Sequence, residues 1–303
     1  MADRARARRW LIGAGIVAGV LFLTWMVARV LSEPAGDSGF VERMPEDRTA
    51  VIAHRGGAAL WPENTMEAFR GARSMGVDVL EMDVFLSADG EPVVIHDETV
   101  DRTTDGSGEV GRMTVDELKE LDAGYHFVPI DREDEYPYRG MGVQIPTLRE
   151  VFEEFPEMAM SVELKPEDSE LVSEVVSLVQ EFDRVDNTLL GSFSERTVKD
   201  IREELPEVAT AAVQNEILPF LVLNYMFVPG VYSPPAEAFF VPMRSGPIEI
   251  PTERFISNAS RRNLFVGAWT INDAETIGTL IDRNIDALIT DRPDLVFEAL
   301  GSY

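Results

Sequence analysis

From Thr49 onward the chain alternates short runs rich in apolar and β-branched residues with longer runs of helical periodicity. Strand-like runs fall at 50–54, 79–85, 92–96, 159–164, 188–191, 208–213, 238–241, 264–271 and 287–289. Helical runs fall at 66–75, 148–155, 171–182, 195–204, 252–263 and 274–283. A helix in connection after connection predicts parallel strands covered by helices, because parallel neighbours need a crossover and a two-residue turn cannot supply it. A (β/α)8 TIM barrel needs eight strands and the pattern offers nine, so one is an extra extended piece. The run at 238–241 is the expected extra.

Two stretches interrupt the alternation. Residues 97–146 show no convincing periodicity over a span far beyond the usual loop of about 4–6 residues. They read as a small insertion folding over the strand ends. Residues 217–235 are rich in apolar and aromatic residues but carry Pro219, Pro229, Pro234 and Pro235. They are expected to pack against the barrel, the sharper alternative being a membrane-facing or acyl-binding loop.

Ahead of the barrel, taken as 49–303, lie three short segments. Residues 1–9 hold Arg4, Arg6, Arg8 and Arg9 and read as a basic cytoplasmic tail. Residues 10–31 read as a transmembrane anchor. The uncharged run from Trp10 to Ala28 approaches the roughly 20 residues needed to cross a bilayer core. A cleaved signal peptide is the closest rival, but the run is long for one and Ala28-Arg29-Val30-Leu31-Ser32 offers no small-x-small cleavage site. Arginines before the anchor place the remainder on the extracytoplasmic side of a single-pass membrane protein. Residues 32–48, with Pro34, Gly36, Gly39 and Pro45, read as a linker.

The formal charge is −27. A nucleic-acid partner is not expected, since phosphate backbones call for a basic face. An anionic substrate would be repelled at long range, so a site for one must invert the sign locally, and a bound cation does that. The chain has no cysteine, which removes disulfides, thiolate metal sites and a cysteine nucleophile.

The chemistry-bearing residues collect at the ends of predicted strands. Residues i and i+2 of a strand face the same side, so Glu81 and Asp83 point together, as do Glu163 and Lys165. Three carboxylates from two strands make an oxygen site for one divalent cation, Mg2+ or Ca2+. His54 and His96 each end an apolar run, and histidine gives or takes protons near neutrality. Arg55 is suited to hold a phosphoryl oxygen through two N–H groups, and Lys165 adds a point charge. Gly56-Gly57 is expected to let backbone approach a ligand closely. No nucleotide-binding glycine loop and no serine elbow occurs.

At these residues the chain resembles the glycerophosphodiester phosphodiesterase family. The segments that carry the resemblance are His54-Arg55-Gly56 through Pro62-Glu63-Asn64-Thr65, Glu81-Met82-Asp83, Val94-Ile95-His96-Asp97, Ile145-Pro146-Thr147-Leu148, Glu163-Leu164-Lys165, Ser192-Phe193, Trp269-Thr270-Ile271-Asn272 and Thr290-Asp291-Arg292-Pro293. They run in family order across nearly all of residues 50–298. The resemblance implies a (β/α)8 barrel with its insertion at 97–146 and a metal on Glu81, Asp83 and Glu163. It implies His54 and His96 as the acid–base pair, and Arg55 and Lys165 on the phosphate. Trp269 would wall the substrate pocket, and Glu63 and Asn64 would line or brace it. Segments 121–127 and 136–140 are similar to the membrane-associated, lysophospholipase-D-like subset, and His126, within the insertion, reads as structural. The pattern before the Trp269 strand departs from the family at 258–263, on what reads as helix surface.

The expected activity is metal-dependent hydrolysis of a glycerophosphodiester to an alcohol and glycerol 3-phosphate, or of a lysophospholipid to lysophosphatidic acid. The competing readings are a membrane-anchored protein that binds phosphodiester lipids without turning them over, and a lipase like sphingomyelinase D or phosphatidylinositol phospholipase.

Overall fold

In the computed structural model, which describes residues 2–130, 132 and 135–301, eight parallel strands close into a barrel. The strands in chain order are β1 (Ala50–Ala53), β2 (Val79–Leu86), β3 (Pro92–Val94), β4 (Ala159–Leu164), β5 (Thr188–Gly191), β6 (Ala209–Thr210), β7 (Ala238–Pro242), β8 (Arg244–Ser245), β9 (Ile248–Glu249), β10 (Phe265–Trp269) and β11 (Ala287–Thr290). The helices are α1 (Ala2–Leu31), α2 (Gly39–Glu42), α3 (Met66–Met75), α4 (Val115–Lys119), α5 (Leu148–Glu154), α6 (Ser169–Glu181), α7 (Glu195–Glu204), α8 (Gln214–Tyr225), α9 (Glu253–Ser260), α10 (Ala274–Asp282) and α11 (Pro293–Ala299).

The barrel runs β6-β5-β4-β2-β1-β11-β10-β7, and a parallel bridge between Ala211 and Ala238 brings its two ends together. The extra strand is therefore not the run at 238–241. That run, within β7, pairs with β10 over five residues as a full member of the barrel. The extra piece is β3, which turns back antiparallel onto the far end of β2, with Val84 opposite Val94. It belongs with the insertion, where Val93, Ile95, Val100, Val110, Leu118, Ala123, Val143 and Ile145 form a small core of their own. Residues 131, 133 and 134 of that insertion lie outside the described set.

Local chemistry explains where the helices begin. Thr65, Ser194, Thr252 and Asp273 each accept a hydrogen bond from the third backbone N–H of the helix that follows. Thr114 and Thr147 do so within full capping boxes closed by Glu117 and Glu150. Each such cap satisfies a donor that the helix cannot, worth about 1 kcal/mol. Apolar faces then bury against the strands, for example Phe69 and Ala72 of α3 and Val172, Val175 and Val179 of α6.

Residues 32–48 do not behave as a free linker. Ala35 donates its N–H to the Arg262 carbonyl at 2.8 Å, and the Asn263 amide reaches the Ala35 carbonyl. Phe40 and Met44 are buried against Ala50, Ile52, Val79, Ala159, Leu189 and Ala287, most of them at or next to strand starts. They plug the N-terminal end of the barrel. One apolar side chain in a one-turn helix and another just past its end leave no periodicity to detect, so the proline and glycine content dominates the sequence signal.

Residues 217–235 also hold more order than their prolines suggest. Pro219 lies six residues into α8, where it removes one backbone bond without ending the helix. Phe220 and Leu221 pack inward and the opposite face is exposed. Within α1, Ala14–Leu31 is long and apolar enough to cross a membrane, and none of it is buried. Side chains 1–9, with the arginines of the expected basic tail, lie outside the described set.

One carboxylate weakens this end of the barrel. Burial pushes Asp286, just before β11, up to about 6, even though its Oδ2 accepts the Val266 N–H at 2.8 Å. A folded-state value above the unfolded one means that Asp286 favours folding at acid pH, and that this advantage disappears between about pH 4 and 6. Asp286→Asn keeps an acceptor for Val266 and carries no charge. At pH 7 it is expected to stabilise the fold by about 2 kcal/mol, or roughly 4 °C in Tm, with no gain at pH 4. Thermal melts at the two pH values check it.

Candidate active site at the C-terminal end of the barrel

β2 and β4 lie side by side in a register that sets Asp83 opposite Glu163. The two-residue repeat of β2 places Glu81 on the same face. The three carboxylates offer oxygen atoms all within 4.8 Å of one another, with Glu81 and Asp83 buried and Glu163 partly so. Burial, then the charge of Asp83, pushes Glu81 up to about 8. Glu163 is raised by burial and by Asp83, with Lys165 opposing.

Two cations balance this acid. Lys165 Nζ lies 2.7 Å from Glu163 Oε1 and 2.9 Å from Asp83 Oδ1. Arg55 Nε lies 3.2 Å from Asp83 Oδ2. These contacts are close enough for charge attraction, yet Asp83 Oδ1 and Arg55 Nε, both buried, lack a well-aligned hydrogen bond in this arrangement. A buried carboxylate oxygen held by charge attraction but no aligned hydrogen bond, beside two further carboxylates, fits a hard divalent cation. Asn64 braces Asp83 from behind, donating from Nδ2 to Oδ2 at 2.9 Å and accepting the Asp83 N–H.

The turn after β1 supplies the next groups. Arg55 adopts φ 51° and Gly56 and Gly57 follow with φ 80° and 93°. The bend aims the Arg55 N–H at Glu81 Oε2, 2.7 Å away. Packing by itself requires glycine at both positions. A Cβ on Gly56 would fall 2.7 Å from that of Ala68 on α3, and one on Gly57 would fall 3.2 Å from the Trp61 ring.

Each imidazole is backed by a carboxylate. His54 Nδ1 lies 2.7 Å from Asp291 Oδ1, while Asn272 donates to the other oxygen of Asp291 at 2.6 Å. His96 Nδ1 lies 2.6 Å from Asp97 Oδ1, and Arg102 Nε holds Asp97 Oδ2. An Nδ1–H donated to a carboxylate leaves Nε2 as the working nitrogen. Burial opposes the charged form of His54, but Glu81 and Asp291 outweigh it and raise its value. His96 is near enough to Glu163 to lower that carboxylate's value. Each histidine thus lies near a different carboxylate of the cluster, His54 near Glu81 and His96 near Glu163.

Glu63 is clamped by Arg55 at 2.9 Å and by both terminal nitrogens of Arg102 at 2.7 Å, so it positions cations and does not face open space. Burial works against its charge, but the two guanidiniums hold its carboxyl below the usual range. Trp269 ends β10 and meets the exposed ring of Phe193 edge-on at 5.8 Å. Sequence reasoning gave no role to Asp291, Asn272, Arg102 or Phe193. Asp291 was within reach of it, because it follows β11 just as His54 follows β1, and Ala53 pairs with Thr290.

Two carboxylate-backed imidazoles and fixed positive charge beside a buried acidic cluster at barrel strand ends suit a phosphoric diester hydrolase, and the chain is one. It belongs to the glycerophosphoryl diester phosphodiesterase family, which it matches over residues 54–295. It is similar to "Glycerophosphodiester phosphodiesterase" of Caldanaerobacter subterraneus subsp. tengcongensis, 29% identical over 82% of this chain and 96% of that protein. It is also similar to "Lysophospholipase D GDPD1" of Rattus norvegicus, 28% identical over 83% of this chain and 86% of that one. Among solved structures, a phosphodiesterase of Oleispira antarctica in complex with sn-glycerol-3-phosphate is 27% identical. It covers 88% of this chain and 100% of its own, with a TM-score of 0.69.

Proposed function

We propose that the chain hydrolyses glycerophosphodiesters to an alcohol and glycerol 3-phosphate, using His54 and His96 for proton transfer. Glu81, Asp83 and Glu163 hold one divalent cation, Mg2+ or Ca2+. The observation that carries this reading is the pair of carboxylate-backed imidazoles beside the acidic cluster, one near Glu81 and the other near Glu163. A protein that only binds phosphodiesters has no use for two such dyads.

When bound, the cation supplies positive charge against the phosphoryl oxygens. Arg55 and Lys165 add fixed charge at the same oxygens, and their partners Glu63, Asp83 and Glu163 keep them in place. His54 Nε2 takes the proton of the attacking hydroxyl, read here as the glycerol 2-hydroxyl, and Asp291 stabilises the imidazolium that forms. His96, protonated on Nε2 and backed by Asp97, gives its proton to the leaving alkoxide. The cyclic phosphate so formed is then opened by water with the two roles exchanged.

Phe193 and Trp269 form an apolar edge beside this machinery. With the similarity to the rat lysophospholipase D, that edge supports lysophospholipids as a second substrate class, yielding lysophosphatidic acid. The apolar α1 supports a single-pass anchor over 10–31 with a basic cytoplasmic tail and the barrel on the extracytoplasmic side.

The test is choline release from glycerophosphocholine and from lysophosphatidylcholine by the full chain in detergent, with Mg2+, Ca2+ or a chelator. Cation-dependent release from glycerophosphocholine, with glycerol 3-phosphate as co-product, is the expected result. Release from neither by a folded, cation-loaded protein would overturn the reading.

A further inference from the structure

The anchor does not hang the barrel on a slack tether. Only residues 32–34 separate α1 from Ala35, which is hydrogen-bonded to the Arg262 carbonyl. Four residue steps span at most about 14 Å, so the barrel rim at Arg262 stays within that distance of wherever Leu31 leaves the bilayer. The first of those residues is already engaged. Ser32 Oγ donates to the Gly230 carbonyl at 2.7 Å, and the Glu33 N–H reaches Ser233 Oγ at 3.2 Å. Arg29 lies so close over Gly230 that a Cβ there would sit 2.7 Å from its Nε.

The surface beside this junction is apolar. On α8, Leu218, Val222 and Tyr225 recur at helical spacing on the exposed face, and Met226 and Phe227 continue it at 63% and 77% exposure. The Arg254 guanidinium sits 4.2 Å over the Phe227 ring. In a chain of net charge −27, this patch is flanked by Arg29 and Arg254. A helix that follows a barrel strand runs back toward the strand starts, so Tyr225–Phe227 lie at the plugged end, opposite Glu81, Asp83 and Glu163.

We propose that the exposed face of α8 with Met226 and Phe227 docks into the surface of an anionic bilayer beside the anchor. This holds the barrel with its plugged end down and its catalytic mouth toward water. The proposal rests on the anchor reading above. Exposed apolar area contiguous with a membrane-spanning segment, with arginines at its edge, matches an interfacial contact in which rings and aliphatic chains enter the acyl boundary while guanidiniums meet phosphates. One consequence is that substrate reaches the site from the aqueous phase and not by lateral diffusion beneath the barrel.

The absence of native cysteine makes the test clean. Val17→Cys, Met226→Cys and Ser107→Cys each carry one environment-sensitive fluorophore on the full chain, in vesicles of phosphatidylcholine and phosphatidylglycerol. Ser107 lies in the turn that bridges back to Glu98–Val100 beside His96. Hydrolysis of glycerophosphocholine by each labelled protein confirms its fold. Labels at 17 and 226 are expected to be quenched several-fold more by spin-labelled lipid than by aqueous iodide, and the label at 107 to show the reverse. A label at 226 as open to iodide as that at 107, with 17 still lipid-quenched, overturns the docking and spares the anchor. Lipid quenching at 107 overturns the orientation. A water-exposed 17 overturns the anchor reading and the proposal with it.

Discussion

His54→Ala and His96→Ala are each expected to lower kcat on glycerophosphocholine by about 10^3, within the range that positioned acid–base groups contribute. The two variants are expected to part company on a glycerophosphodiester of p-nitrophenol. That leaving group departs as a stable phenolate and needs no proton. His96→Ala should therefore recover to within about tenfold of the parent, since only the donor is missing. His54→Ala should stay as impaired as before, because the attacking hydroxyl still has to lose its proton. Steady-state kinetics of both variants on both substrates decide the matter. Rescue of His54→Ala in place of His96→Ala would exchange the two roles. Full activity of either variant on glycerophosphocholine would remove that histidine from the mechanism. Neither ring contributes to the buried apolar core, so the loss reads on chemistry more than on folding.

Much of this site was legible because strand geometry is simple. Glu81 and Asp83 share a face by the period of two alone, and the ordered motifs from His54 to Pro293 carried the barrel. What was not legible depended on which strands become neighbours. The three carboxylates are expected to converge, but which of them stand opposite each other is set by β2–β4 register. That Asp291 backs His54 follows from β1 lying beside β11, the first and last barrel strands, far apart in sequence. The antiparallel return of β3 hides inside a run that looks like any other strand, so nothing in the pattern marks it, and not 238–241, as the surplus strand. Pro219 in α8 and the prolines and glycines around Phe40 concealed order for a common reason. Breaker residues dominate a short window, whereas tertiary burial of Phe220 and Phe40 settles the outcome.

Asp83→Asn is expected to separate the cation from the rest of the machinery. In the cation-free protein Asp83 is the counter-ion of both Arg55 and Lys165, and it is only 1% exposed. Removing one partner from buried ion pairs costs about 3–5 kcal/mol, so Asp83→Ala should lose roughly 10 °C in Tm. The asparagine keeps the shape and an acceptor for the Asn64 amide, so it should fall by less. The more telling readout is the response to cation. A cation that binds only the folded chain adds about 2.7 kcal/mol at a hundred times its Kd. The wild-type melt should therefore rise by several degrees with millimolar Mg2+ or Ca2+, with the larger rise marking the preferred ion. Asp83→Asn should show no rise with either, and its kcat should drop about 10^3-fold, because charge on the phosphoryl oxygens then rests on Arg55 and Lys165 alone. Because melting is read without turnover, it does not depend on having found the right substrate. A wild-type Tm indifferent to both ions, or an unchanged rise in Asp83→Asn, would show that Glu81, Asp83 and Glu163 hold no cation. The buried acid would then serve only to fix Arg55 and Lys165 beneath the phosphate.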